Sequence, residues 1–285
     1  SNASGAEGTN ANTLTAFGTD GFTLGSDGWT NNNSDTYASW NWKAGTTGSG
    51  TTTGSGTGKA YSYSVSTASG FSIIKYVGNG PAGHTIPHHL GATADFVIVK
   101  ALGNTESWQV ISKAMDADKF IQLDSNNVEM SQGSYNMFNS TRPSSTVVTL
   151  GNQNHTNQDG INYIMYAFAE KTGYSKFGSY TGNGNADGTF VYTGFKPSLV
   201  AYKNTTQTDE WFVKDNKRPG YNPTDLMFWS ATNAEVTNLD RMDIFSNGFK
   251  ATTTDKGANA NGNNYIYLAF GQSLVGSNNI PCTAF

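Results

Sequence analysis

Short runs of alternating apolar and polar residues recur along most of the chain, and this two-residue period marks half-buried β-strands. Between residues 70 and 171 the pattern predicts strands at 71–77, 95–100, 107–112, 120–123, 147–150 and 163–169. The stretch Tyr61-Ser62-Tyr63-Ser64-Val65-Ser66 predicts a short strand ahead of them. Phe96-Val97-Ile98-Val99 breaks the alternation with consecutive apolar residues, which predicts a strand covered on both faces. No stretch holds the period of a helix, so no significant helix is expected.

The pattern repeats on two scales. A smaller motif (a Thr-rich strand, an Asn-rich turn and an aromatic strand) occurs at 20–42, 145–168 and 247–270. Its turns share the form Asn-x-[Asn/Asp]-[Gly/Ser]-x-x-Tyr, running from Asn31 to Tyr37, Asn157 to Tyr163 and Asn259 to Tyr265. Asp-Gly and Asn-Gly supply the positive φ angles of tight turns. A larger repeat returns Gly70, Lys100 and Trp108 as Gly173, Lys203 and Trp211, 103 residues later. Each larger unit thus has an opening half and ends in a closing half, the smaller motif.

The expected organisation follows. Residues 1–13 form a tag scar (Ser1-Asn2-Ala3) and a flexible lead-in, and 14–43 a lone closing half. A Gly/Ser/Thr-rich linker with a short strand covers 44–69. Two repeats span 70–171 and 173–275, with a C-terminal tail at 276–285. The fold class is all-β: tandem antiparallel β-sandwich units with short hairpins, since a period of about a hundred residues suits a whole small sandwich. The lone half either belongs to a third unit cut upstream, or reveals a permuted unit in which a closing half packs on the next opening half. The second is preferred, because an unpaired hairpin with Trp40 and Trp42 would expose much apolar surface.

Composition narrows the function. A net charge of −4 and a pI near 5.5 argue against a nucleic-acid partner. The single cysteine, Cys282, cannot close an intrachain disulfide. No apolar run reaches the ~18 residues of a bilayer span, so no membrane insertion is expected.

Candidate chemistry is sparse. His84, His88 and His89 cluster near Asp95, but Pro87 interrupts them and the second unit has no matching histidines, so a loop is the simpler account. Asn183, Asn185 and Asp187 echo the start of a calcium loop, yet position 194 is glycine where an acidic ligand belongs. These three remain weak metal candidates beside a reading of plain turn chemistry. There is no Gly-x-Ser-x-Gly elbow, and the carboxylates between 209 and 240 show no recognisable pairing. No catalytic residue, enzyme activity or cofactor is therefore expected. Aromatics matched between units, such as Trp108 and Trp211, read as packing residues. Trp29, Tyr221 and Trp229 have no aromatic counterpart and sit in polar loops, so they are the candidate ligand-binding residues.

The segments FSIIKYVGNG, YSKFGSYTGNGNADGTFVYTGF, NYIMYAFAEKTGYSKFGSY and DTYASWNWKAG resemble repeats of large virion proteins of tailed, especially marine, bacteriophages. The resemblance covers about residues 14–275 and carries no catalytic motif. It implies a virion-surface protein (tail fibre, spike or appendage) binding a host-surface glycan or protein beside other virion subunits, with a homotrimer compatible. A purely architectural virion component and a polysaccharide-degrading enzyme are the alternatives.

Overall fold

The computed structural model describes residues 3–218, 221–223, 227–229 and 240–271. Within them the fold is all-β and antiparallel. The expected C-terminal tail at 276–285 lies outside the described residues.

The chain opens with the hairpin β1 (Leu14–Phe17) and β2 (Phe22–Leu24), then a helical turn α1 (Gly28–Asn31). The first unit contains β3 (Thr46–Thr51), β4 (Thr53–Gly54), β5 (Ala60–Ser66), β6 (Phe71–Val77), β7 (His84–Pro87), β8 (Phe96–Ala101) and β9 (Gln109–Ser112). It continues through β10 (Lys119–Gln122), β11 (Met130–Ser131), β12 (Val147–Leu150), the turn α2 (Asn154–Asn157) and β13 (Asn162–Phe168). The second unit holds β14 (Ser175–Thr181), β15 (Phe190–Tyr192), β16 (Pro197–Asn204), β17 (Trp211–Asp215), β18 (Met227–Phe228), β19 (Met242–Phe245), β20 (Gly248–Ala251) and β21 (Asn264–Gly271).

Both units share one strand order. The large sheet of unit one contains β6-β13-β8-β9, and that of unit two contains β14-β21-β16-β17. The closing strand is central in each. β13 pairs with β6 from Phe71↔Phe168 to Val77↔Asn162 and with β8 on its other edge, and β21 lies between β14 and β16 in the same way. A three-stranded sheet, β12-β7-β4 or β15-β20-β19, covers the inner face.

Side-chain parity separates three cores. Ile74, Val97, Val99 and Met165 point inward against Ile86, Val148 and Leu150 of the small sheet. Val200, Tyr202 and Tyr267 do the same against Val191 and Phe249. The opposite faces pack on each other: Phe71, Phe96, Val110 and Phe168 of unit one meet Phe177, Ala201, Trp211 and Leu268 of unit two. The Phe96 ring lies 5.8 Å from that of Phe177 and 6.5 Å from that of Trp211. This is why the Phe96–Val99 run is apolar at every position.

The segment expected to be a linker is sheet. β3 pairs with β5 from Thr46↔Val65 to Thr51↔Ala60 and extends the large sheet to eight strands. Its glycines leave room for rings to lie close: a Cβ at Gly48 would stand 2.6 Å from the Tyr63 hydroxyl, and one at Gly50 2.9 Å from the Tyr61 ring. The tyrosine rings lie across the glycines, supplying the side-chain cover that β3 lacks. The expected flexible lead-in is also tied down. Glu7 donates its N–H to Leu102 O (2.8 Å), and the oxygens of Ala3 and Ser4 accept bonds from Trp108 and Lys100.

Candidate functional site

The three closing halves carry one hydrogen-bonded clamp. Its centre is a tyrosine at matched positions: Tyr37, Tyr163 and Tyr265. Each hydroxyl donates to a carbonyl nine residues earlier, namely Gly28 O (3.0 Å), Asn154 O and Lys256 O (2.8 Å). Each accepts an N–H from five residues earlier, at Asn32, Gln158 and Ala260. Burial pushes the phenols of Tyr163 and Tyr265 up to about 12, against hydrogen bonding that favours the charged form. The turn asparagine is the second constant. The amides of Asn31, Asn157 and Asn259 donate to Gly25 O, Gly151 O and Thr253 O. Asn157 and Asn259 also accept the N–H of Asn79 and Asn183 in the facing opening half, whereas Asn31 is exposed.

A lysine clamp marks each junction between successive repeats. Lys203 is fully buried and donates to Asn204 O, Asp209 O and, across the junction, Asn126 O (3.3 Å). Lys100 donates to Ala101 O, Asn104 O and, across its own junction, Ser4 O (3.2 Å). Burial pulls Lys203 down to about 8, with Asp209 and Glu210 opposing the shift, and it lowers Lys100 in the same direction. The tryptophans agree: Trp211 Nε1 donates to Gln122 O, and Trp108 Nε1 to Ala3 O. The N-terminal segment therefore meets unit one as the 122–129 segment of unit one meets unit two.

At the centre, one residue from each closing half converges. Trp42, Phe168 and Phe270 are 126 and then 102 residues apart in sequence, the spacing of the three motifs. Their ring centroids form a triangle: Trp42–Phe168 6.1 Å, Trp42–Phe270 5.3 Å and Phe168–Phe270 5.5 Å. Three sequence-equivalent side chains are thus in mutual contact. Unit one and unit two each bring a whole large sheet to this contact. The first closing half brings only the stretch 32–45, in which no strand forms.

The space beside this stretch is a cavity of about 1040 Å³, walled by Trp40, Trp42, Ile73, Ile98, Trp108 and Tyr166. Trp229 lies on its unit-two side, with its ring 6.3 Å from that of Trp211. Asp124 reaches its wall and accepts the Trp108 N–H at 3.1 Å, and burial raises its carboxyl above the ordinary range. The lining is chiefly apolar, so the cavity suits burial and stacking.

The candidate ligand residues do not come together. Trp229 lines the cavity, but Trp29 is 88% exposed on α1 and Tyr221 is 77% exposed, and neither lines it. The calcium-like loop is occupied with its own turn. Asn183 Oδ1 accepts from Asn185 N and the Asn259 amide, Asn185 Oδ1 accepts from Asp187 N, and Asp187 pairs with Lys250. Among the described residues no group of three His, Cys, Asp or Glu is placed to hold a metal ion, and no helix is long and apolar enough to cross a membrane.

The histidines are spoken for separately. His84 is buried between Asn157 Oδ1 (2.8 Å) and Thr52 Oγ1 (2.6 Å), and Nε2 of His88 bonds Ser144 O (3.2 Å). His89 stacks on Tyr63 with ring centroids 3.8 Å apart. Burial lowers all three.

A surface feature went unread in the sequence. Phe190 and Tyr192 project from β15, Phe245 from β19 meets Phe190 edge-on at 6.0 Å, and Lys176 lies over the Tyr192 ring at 5.6 Å. All three rings are exposed, Tyr192 by 60%. Their signal was the Phe-x-Tyr alternation, which has no aromatic match in β7.

The fold defines an all-β protein of repeated halves gathered about an aromatic centre. The chain belongs to the family described as Domain of unknown function (DUF7483), which matches residues 1–273. Comparison with curated proteins and with solved structures finds no match.

Proposed function

We propose that this chain is a structural and adhesion protein of a phage virion surface, part of a tail fibre, spike or appendage, that contacts host-surface glycan or protein. The repeat segments resembling virion proteins support the setting. The observation that carries adhesion is the strip of Phe190, Tyr192 and Phe245, exposed aromatic rings on one three-stranded sheet. Such rings stack on sugar rings. Individually weak contacts gain strength when many copies are displayed, and a trimer would provide such display.

A glycan array probed with the chain and with Tyr192→Ala tests this reading. A reproducible hit lost in the variant is expected. Release of sugar from a bound polysaccharide would instead identify an enzyme, and a blank array would contradict the glycan reading.

A purely architectural virion component, with neighbouring virion subunits as partners, is a second reading, favoured by the exposed apolar residues Leu14, Phe17, Phe22 and Trp29. It predicts stable assembly of the chain with those subunits without any glycan hit.

A further inference from the structure

The first closing half carries a concentration of exposed apolar residues. Leu14, Phe17, Phe22, Trp29 and Tyr37 make up half of the ten exposed large hydrophobics among the described residues, all within 24 positions. Tyr163 and Tyr265, which match Tyr37, are fully buried. Trp29 matches His155, which pairs with Glu106 of the facing opening half at 2.9 Å, and Gly257, which sits against Phe212 of its own. Trp29 faces no such half.

The backbone shows the same difference. Thr36 through Ala44 make no backbone-to-backbone hydrogen bond among the described residues, while the equivalent strands β13 and β21 are paired along both edges. A non-helical segment with no backbone pairing among the described residues and an apolar side is a template for strand addition.

We propose that this face is a docking site for an opening-half β-segment carried by another polypeptide, which would add strands to both edges of 36–42 and fill the 1040 Å³ cavity. The molecule supplies the template twice, because opening halves flank β13 and β21 and present an asparagine N–H to the turn asparagine. The site is continuous with the interface between the units: Ile73, Ile98 and Tyr166 extend the layer formed by Phe71, Phe96 and Phe168. A second copy is a poor occupant. Both of its opening halves are closed by their own seven-pair ladders, β6 on β13 and β14 on β21. The inference is independent of any glycan bound by the Tyr192 strip.

The test adds a synthetic segment of residues 173–215 to the full chain and follows amide hydrogen exchange. Exchange across 36–42 should slow by about tenfold or more, as expected for newly paired strands, and a scrambled segment should have no effect. The variant Trp29→Ser, altered at an exposed position, should fold normally and bind the segment more weakly. No slowing, or equal slowing by the scrambled segment, would overturn the proposal. Slowing that rises with the concentration of the chain alone would also overturn it, by making a second copy the occupant.

Discussion

Trp108 and Trp211 are the same residue at the same place in two repeats, yet they live in different surroundings. Trp211 is fully buried, with Phe96 of unit one against its ring and Gln122 O on its indole nitrogen. Trp108 bonds Ala3 O and borders the cavity. The sheet around each is nearly the same, and the difference lies in what the preceding repeat brings. The outer face of a repeat is thus an interface by design, and its burial is decided by its neighbour.

Truncating the two tryptophans tests this contrast most strongly. Trp211→Ala should destabilise by about 3–5 kcal/mol, the range for a large aromatic removed from a filled core. Trp108→Ala should cost about half of that or less, because its cavity is already open. Urea melts compare them directly, and equal losses would remove the distinction.

The turn asparagines give the next largest effect. Asn157→Ala and Asn259→Ala each leave a backbone N–H and two carbonyls without their side-chain partner, and with water entering the truncated site the net loss should be about 1–3 kcal/mol. Asn31→Ala breaks an exposed bond and should cost less than about 1 kcal/mol. The order, read from denaturation midpoints, is the checkable result.

Acid provides a smaller effect. Burial keeps His84 and His88 neutral in the fold, below their ordinary value of 6.5. The unfolded chain therefore takes up protons first, so stability is whole above about 6.5 and declines as pH falls beneath it. His84 makes this concrete: the Asn157 carbonyl oxygen faces Nδ1 and requires a donor there, which leaves Nε2 of the neutral ring as the acceptor toward Thr52 Oγ1. A denaturation midpoint lower at about pH 5 than at about pH 7.5 is expected. The smallest effect is expected at the exposed strip, where Tyr192→Ala should change stability by no more than about 0.5 kcal/mol.

Much of the fold was legible where alternation was strong. The expected strand at 71–77 coincides with β6, that at 147–150 with β12, and that at 163–169 lies one residue from β13. The double cover of Phe96–Val99 could be read because four apolar neighbours in a strand need two partners. β3 was not legible: its glycines look like a linker until Tyr61 and Tyr63 lie across them, a cross-strand fact. β7 was hidden for a similar reason, since His84 reads as polar until Asn157 and Thr52 satisfy it in the interior. The repeats revealed the equivalence of Phe168 and Phe270, but only the fold brings Trp42 onto them. Of the candidate ligand residues, Trp229 reached the cavity, while Trp29 and Tyr221 stayed apart because polar loops do not announce what they face.

The most direct test of the unequal repeats is amide hydrogen exchange on the chain alone, comparing 36–42 with its equivalents in β13 and β21. Fast exchange in the first and strong protection in the other two is the predicted result. Equal protection in all three would contradict it, because 36–42 would then already be paired in solution.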